Sequence, residues 1–315
     1  MQSVLVTGGA GFIGSHLCDY LIDEKYKVIC LDNLLTGSKK NVEHLLKNSD
    51  FQFIEADVTK PLDQLTDQPI NYIFHLASPA SPIDYQNYPE ETLMANSLGA
   101  LSVLNFAKRV GAKVLIASTS EVYGDPKEHP QKETYFGNVN TFGPRSCYDE
   151  SKRYAETATY VYIHKYNLDA RIIRIFNTYG PRMQKDDGRV VSNFINGSLS
   201  GEVLNIDGDG SQTRSFCYVS DMVEGIAKAM FSEGTSAQIF NLGNPDEYTV
   251  KELADKIIQL TNSKPEIKYS GVFREDDPMR RQPDISRAKK ILGWEPKTSL
   301  DDGLQKTIEY YRNLR

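Results

Sequence analysis

Short apolar runs rich in Val, Ile and Leu recur through the first half of the chain, at residues 3–7, 27–31, 51–55, 72–76, 114–118 and 170–175. Each is short, bounded by turn-forming residues, and predicts a buried strand. Between them, apolar positions return at helical spacing over 14–24, 94–109 and 148–166, which predicts helices. Strands of this kind alternating with helices predict an α/β fold, a Rossmann-like doubly wound parallel sheet. Such sheets bind ligands at the carboxyl ends of the strands, where the strand order reverses. After about Asn177 the pattern changes. Gly, Asp and Arg become frequent, as at 180–182 and 207–211, and helical patterns follow at 220–232, 249–261 and 299–314. The expected division is a doubly wound domain over 1–176, with 216–242 returning to it, and a smaller α/β substrate-binding domain over 177–315.

The chain has 315 residues, of which 40% are hydrophobic and 25% charged, enough for a substantial core in one large or two joined domains. No apolar run approaches the ~20 residues of a membrane helix, and no signal peptide is expected before Val4. A cytoplasmic protein without a membrane partner is the expectation. Cys18, Cys30, Cys147 and Cys217 are scattered without a C-x-x-C pair and are expected as reduced thiols. A net charge of −6 disfavours nucleic acid as a partner. It still allows a small anionic substrate, because a few arginines can build a positive pocket on an acidic protein. The five histidines lack metal-ligand spacing, so no metal is expected.

Gly8, Gly11 and Gly14 form a G-x-x-G-x-x-G step directly after the first predicted strand. Glycine there permits a tight turn and close approach of a pyrophosphate, which then sits at a helix N-terminus. Asp32 ends the second strand, at the roughly 20-residue distance at which an acid meets ribose hydroxyls. An acid there disfavours a 2′-phosphate, so the expected cofactor is NAD. Asp57 and Val58 end the third strand and could reach the adenine. The bland readings are that Asp32 opens a turn with Asn33 and that Asp57 caps one.

Tyr148 and Lys152 are four residues apart, so on a helix they share a face. A free phenol ionises near pH 10, and ionising it near pH 7 requires about 4 kcal/mol of differential interaction. An ammonium and a positively charged nicotinamide supply charge of the right sign. The same spacing at Tyr123 and Lys127 is discounted, because Gly124 and Pro126 break a helix there. Thr119 and Glu121 follow the fifth strand, where they could meet a sugar hydroxyl and the reacting carbons. The plain alternative is a capping run with a solvated Glu. Arg182, Arg189, Arg214, Arg280 and Arg281 each read as a surface cation alone, but together they suit a nucleotide diphosphate.

These residues resemble the extended short-chain dehydrogenases that act on nucleotide sugars, and among them the UDP-glucuronate decarboxylase family. The resemblance covers nearly the whole chain. Its specific stretches are 75–81 (HLASPAS), 118–124 (STSEVYG), 143–152 (GPRSCYDESK), 176–182 (FNTYGPR), 187–194 (DGRVVSNF), 208–216 (GDGSQTRSF) and 280–284 (RRQPD). The resemblance implies that Tyr148 and Lys152 are the hydride-transfer pair, that Thr119 holds the sugar near carbon 4, and that Ser120 and Glu121 lie at the reacting centre. It implies Arg281 near the reacting carbons, and Asn177, Arg189, Val190 and Arg214 on a UDP-sugar substrate. The cofactor contacts expected are Gly8, Gly11, Phe12, Ile13, Gly14, Asp32, Asn33, Asp57, Val58, Leu76, Ala77, Ser78, Ser118, Tyr148 and Lys152. A homodimer through the helices at 94–109 and 148–166 is implied as well. Eukaryotic members often carry a membrane anchor before the first strand, and none is expected here.

The implied reaction is NAD-dependent decarboxylation of UDP-glucuronate to UDP-xylose through a 4-keto intermediate, with NAD regenerated in the site. A UDP-sugar 4-epimerase and a nucleotide-sugar 4,6-dehydratase are the alternatives in the same fold. Ser120 stands where the dehydratases carry Asp, which argues against dehydration, and many epimerases lack an acid at the position of Glu121. A NAD(H)-binding regulatory protein is the alternative of another class. A sensor needs no base, so Tyr148, Lys152 and Glu121 together argue against it.

Overall fold

The computed structural model describes residues 1–62, 69–272 and 278–314. Its centre is a seven-stranded sheet in the spatial order Ile239–Leu242, Ala170–Ile175, Lys113–Thr119, Tyr72–His75, Ser3–Thr7, Lys27–Asp32 and Phe51–Glu55. Every neighbouring pair is parallel. Successive strand side chains point to opposite faces, and the core divides accordingly. Val4, Val6, Cys30, Phe74, Leu115 and Ile173 pack with the Phe12–Asp23 and Val219–Phe231 helices on one face. Leu5, Ile29, Ile73, Val114, Ile116 and Ile172 pack with the Ala100–Val110 and Ser146–Tyr166 helices on the other.

The strand order reverses at Ser3–Thr7, which lies between Lys27–Asp32 and Tyr72–His75. The Gly8 turn and the segment 76–78 leave the sheet at that point, so the glycine step opens where a parallel sheet binds ligands.

Beyond the sheet, the Val190–Ser200, Val250–Thr261 and Leu300–Asn313 helices pack together. Beside them a small sheet runs Glu247–Thr249, Thr213–Ser215, Arg280–Arg281. Its last pair places Arg281 opposite Arg214. The Val250–Thr261 helix starts with a capping box, Thr249 and Glu252 each bonding the other's backbone N–H, which satisfies two orphan donors.

Three features depart from the sequence reading. The helix expected at 94–109 begins at Pro89 and carries a π segment over Ala95–Gly99 before it continues as Ala100–Val110. There Asn96 Nδ2 donates to Ser151 Oγ at 3.1 Å, tying it to the Tyr148 helix. The Val190–Ser200 helix was not expected, because its β-branched, Asn, Gly and Ser residues are weak helix formers. The edge strand Ile239–Leu242 was also not expected: it is only four residues long and draws its definition from pairing with Ala170–Ile175. Among the described residues no helix is long and apolar enough to cross a membrane.

Candidate active site

Gly8 has a φ of +73°, and a side chain on it would press on the backbone of Ala77 at 2.7 Å. A side chain on Gly14 would fall on the carbonyl oxygen of Gly8. The turn therefore leaves its backbone bare at the start of the Phe12–Asp23 helix, which suits a pyrophosphate. Asp32 Oδ2 accepts from the Ala10 N–H at 3.0 Å and Oδ1 from the Leu34 N–H at 2.9 Å. The carboxylate thus closes the turn and still keeps lone pairs for a ribose. Burial pushes its pKa up, against the bonds from Leu34, Ala10 and Gly11. Asp57 Oδ1 likewise accepts from the Thr59 N–H at 2.8 Å, so the capping reading and the lining position coexist. The cradle fits a dinucleotide without a 2′-phosphate. Gly14→Ala is expected to cost about 1–3 kcal/mol through overpacking and to deprive the protein of NAD, checked by thermal melting and by assaying nucleotide released on denaturation.

The Ser146–Tyr166 helix presents Tyr148 and Lys152 to the end of the Lys113–Thr119 strand. Lys152 Nζ donates to the Ala117 carbonyl at 2.9 Å and lies 5.8 Å from the centre of the Tyr148 ring. Burial lowers the Lys152 pKa to about 7, while Glu156 pulls it upward. The Tyr148 phenol goes the other way: burial raises it to about 12, partly offset by a hydrogen bond with Thr119. The sequence reading anticipated a lowered phenol. In the protein alone desolvation wins, so the lowering has to come from charge that arrives with the cofactor.

Glu121 sits in a short turn, Ser120–Tyr123, after the strand. It is not a solvated carboxylate. Arg281 Nη2 donates to Oε2 at 2.8 Å, Arg281 Nη1 donates to Oε1, and Arg145 Nη2 donates to Oε2 at 2.6 Å. Burial alone would raise its pKa, but Arg281 and then Arg145 hold it at about 2. Arg145 was missed as a site residue because it lies 24 positions from Glu121 and precedes the helix. Tyr85 was missed too. Its ring stacks on Tyr148, with centroids 5.1 Å apart and planes within 8°. Its buried hydroxyl has no hydrogen-bond partner among the described residues.

Two cavities of about 290 and 390 Å³ share Gly8, Leu76 and Ser78 and form one cleft. The larger is lined by Gly11, Asp32, Asn33, Asp57, Val58 and Ala77. The other is lined by Phe12, Ile13 and Gly14 at its shared end. Beyond these come Ser118, Thr119, Ser120, Glu121, Tyr148 and Lys152, and then Asn177, Arg189, Val190, Arg214 and Arg281. Every residue that the resemblance assigns to the cofactor, the reacting centre or the substrate therefore lines the cleft. Of the five arginines weighed for a diphosphate, two do not. Arg182 pairs with half-buried Asp19 at 2.7 Å, and exposed Arg280 pairs with Glu247; neither lines the two cavities.

A glycine-turn cradle at the switch point, with a Tyr-x-x-x-Lys helix facing it, defines an extended short-chain dehydrogenase. Residues 5–307 match the family described as GDP-mannose 4,6 dehydratase. UDP-glucuronic acid decarboxylase 6 of Arabidopsis thaliana is 54% identical over 98% of this chain and 88% of its own length. UDP-glucuronic acid decarboxylase 1 of Xenopus tropicalis is 52% identical over 99% and 72%. Among solved structures, the UDP-glucuronic acid 4-epimerase of Bacillus cereus, in complex with UDP-glucuronic acid and NAD, superposes with a TM-score of 0.89, at 28% identity over the whole of both chains. The chain belongs to the GDP-mannose 4,6 dehydratase family and, within it, to the UDP-glucuronic acid decarboxylases.

Proposed function

We propose that the protein converts UDP-glucuronate to UDP-xylose and CO₂, with NAD held in the cleft and regenerated in each cycle. The observation that carries the reading is the Glu121–Arg281–Arg145 cluster beside Tyr148 in one cleft with the glycine cradle. Gly8, Gly11, Gly14 and Asp32 would hold the dinucleotide. Bound NAD supplies a hydride acceptor at carbon 4 of the sugar and later a donor.

Tyr148 Oη takes the proton of the carbon-4 hydroxyl, with Thr119 beside it, and Lys152 supplies positive charge near the phenol. A ketone at carbon 4 lies β to the carboxylate, and such acids lose CO₂ readily. Arg281 and Arg145 keep Glu121 ionised, so near neutral pH it cannot donate a proton. Its role on this reading is to destabilise the substrate carboxylate and to orient Arg281, which would position a water molecule as the proton source for carbon 5. Arg189, Arg214 and Asn177 hold the nucleotide diphosphate.

Incubating the purified protein with UDP-glucuronate, with and without added NAD, tests this. UDP-xylose and CO₂ by mass spectrometry and proton NMR are expected. UDP-galacturonate would make it an epimerase, and silence even with NAD would overturn the reading.

The reading carries three further parts. Residues 1–176 with 216–242 form the NAD-binding domain and 177–315 mainly the UDP-sugar domain, supported by the place of Ile239–Leu242 in the large sheet. The protein is a homodimer through its two outer helices, supported by exposed Leu98, Tyr154, Tyr160 and Val161 there. Sedimentation equilibrium is expected to give twice 35.5 kDa, and Leu98→Glu to shift it toward the monomer. The cytoplasm is its compartment, supported by four unpaired cysteines and testable by fractionation.

A further inference from the structure

Three residues on one face of the Ser146–Tyr166 helix meet the end of the Lys113–Thr119 strand. Tyr148 bonds Thr119. Lys152 Nζ donates to the Ala117 carbonyl at 2.9 Å. One turn further on, Glu156 Oε1 accepts from Ser118 Oγ at 2.5 Å. Spacings of four and eight residues keep all three on that face.

The third rung continues inward. Arg174 grips Glu156 in a fork, Nε to Oε1 at 2.9 Å and Nη2 to Oε2 at 2.7 Å. Arg174 Nη1 donates to the Tyr123 hydroxyl at 2.9 Å, and that hydroxyl donates to Asn241 Oδ1 at 2.7 Å. Asn241 Nδ2 donates to the Asp284 carbonyl at 3.1 Å and to the Gln131 carbonyl at 3.0 Å. Gln131 is bonded in turn to both backbone groups of Gln282, the residue after Arg281. One chain of buried polar groups thus runs from the Lys152 helix to the segment that carries Arg281.

We infer that Glu156 is a positioning residue for the reaction, acting through Lys152 and Ser118 on the Tyr148 end and through Arg174, Tyr123 and Asn241 on the Arg281 end. The inference rests on the decarboxylase reading for the reaction it serves. Glu156 is also a charge that favours the ammonium form of buried Lys152. Fully connected networks of this kind hold side chains in a single arrangement.

The test compares wild type, Glu156→Gln, and the double variant Glu156→Gln with Arg174→Met, which leaves no unpaired guanidinium behind. Wild-type turnover of UDP-glucuronate checks the decarboxylase reading first, and the variants are read only as ratios to it. Glu156→Gln is expected to lower kcat at least about tenfold, with KM for UDP-glucuronate within about twofold. It is also expected to lower Tm. The double variant is expected to regain Tm but not kcat, because the negative charge beside Lys152 remains lost, while the amide oxygen of Gln can still accept from Ser118 Oγ. Recovery of kcat together with Tm, or unchanged kcat in Glu156→Gln, would overturn the inference and leave Glu156 as a counter-ion for Arg174.

Discussion

Tyr148→Phe is expected to lower turnover by roughly 10²–10⁴-fold, the range for loss of a general acid–base, while NAD and UDP-sugar binding persist. The substitution removes one hydroxyl. The ring stacked on Tyr85 stays, and Lys152 keeps its bond to Ala117. A spectroscopic arm examines the cause. Burial holds the phenol at about 12 in the protein alone, so tyrosinate absorbance from Tyr148 is expected only in strong alkali. With NAD⁺ bound, added positive charge favours the ionised form. A tyrosinate signal at lower pH should then appear in wild type and be missing from Tyr148→Phe. Equal titrations with and without NAD⁺ would show that the cofactor does not lower the phenol.

Glu121→Gln is expected to abolish most turnover and to destabilise the fold by about 3–5 kcal/mol, the usual cost of breaking a buried ion pair. Arg281 and Arg145 are 3% and 7% exposed, so the neutral amide leaves two guanidinium charges without their carboxylate. The pH dependence has a definite sign. The folded-state pKa of Glu121, about 2, lies below its ordinary 4.5. Its contribution is therefore fully present above about 4.5 and is lost as pH falls toward 2. Urea unfolding at pH 7 and pH 3 should show the gap between wild type and Glu121→Gln shrinking at the lower pH. A gap that stays constant would mean that the charge of Glu121 does not stabilise the fold. If Glu121→Gln and Arg281→Ala both left turnover unchanged, the roles given to this pair would be wrong.

The parts of the site legible in the sequence are those whose chemistry is local. Gly8, Gly11 and Gly14 are spaced for one turn, Asp32 closes the next strand, and Tyr148 and Lys152 share one helical face. The six strands read from apolar runs all lie in the sheet within a residue or two of their expected bounds, because a strand buried on both faces must be apolar throughout. The same logic fails for Ile239–Leu242 and Val190–Ser200, whose form depends on what they pack against.

Glu121 shows where that reading stops. Its neighbours in sequence, Ser118 to Tyr123, look like a capping run, and its real partner Arg281 lies 160 positions away. Arg189, Arg214 and Arg281 are indistinguishable by composition from Arg182 and Arg280, yet three line the cleft and two pair with carboxylates outside it. Tyr85 carries no motif, and Arg145 lies within the 143–152 stretch with nothing local to mark its pairing with Glu121. Periodicity and motif spacing act over a few residues and so decide the sheet, the cofactor turn and the Tyr148–Lys152 face. Pairing between distant segments decides which charges are buried together, and burial sets the ionisation of Glu121, Lys152 and Tyr148. Those states came only with the tertiary structure, because desolvation and ion pairing depend on what surrounds a group in space.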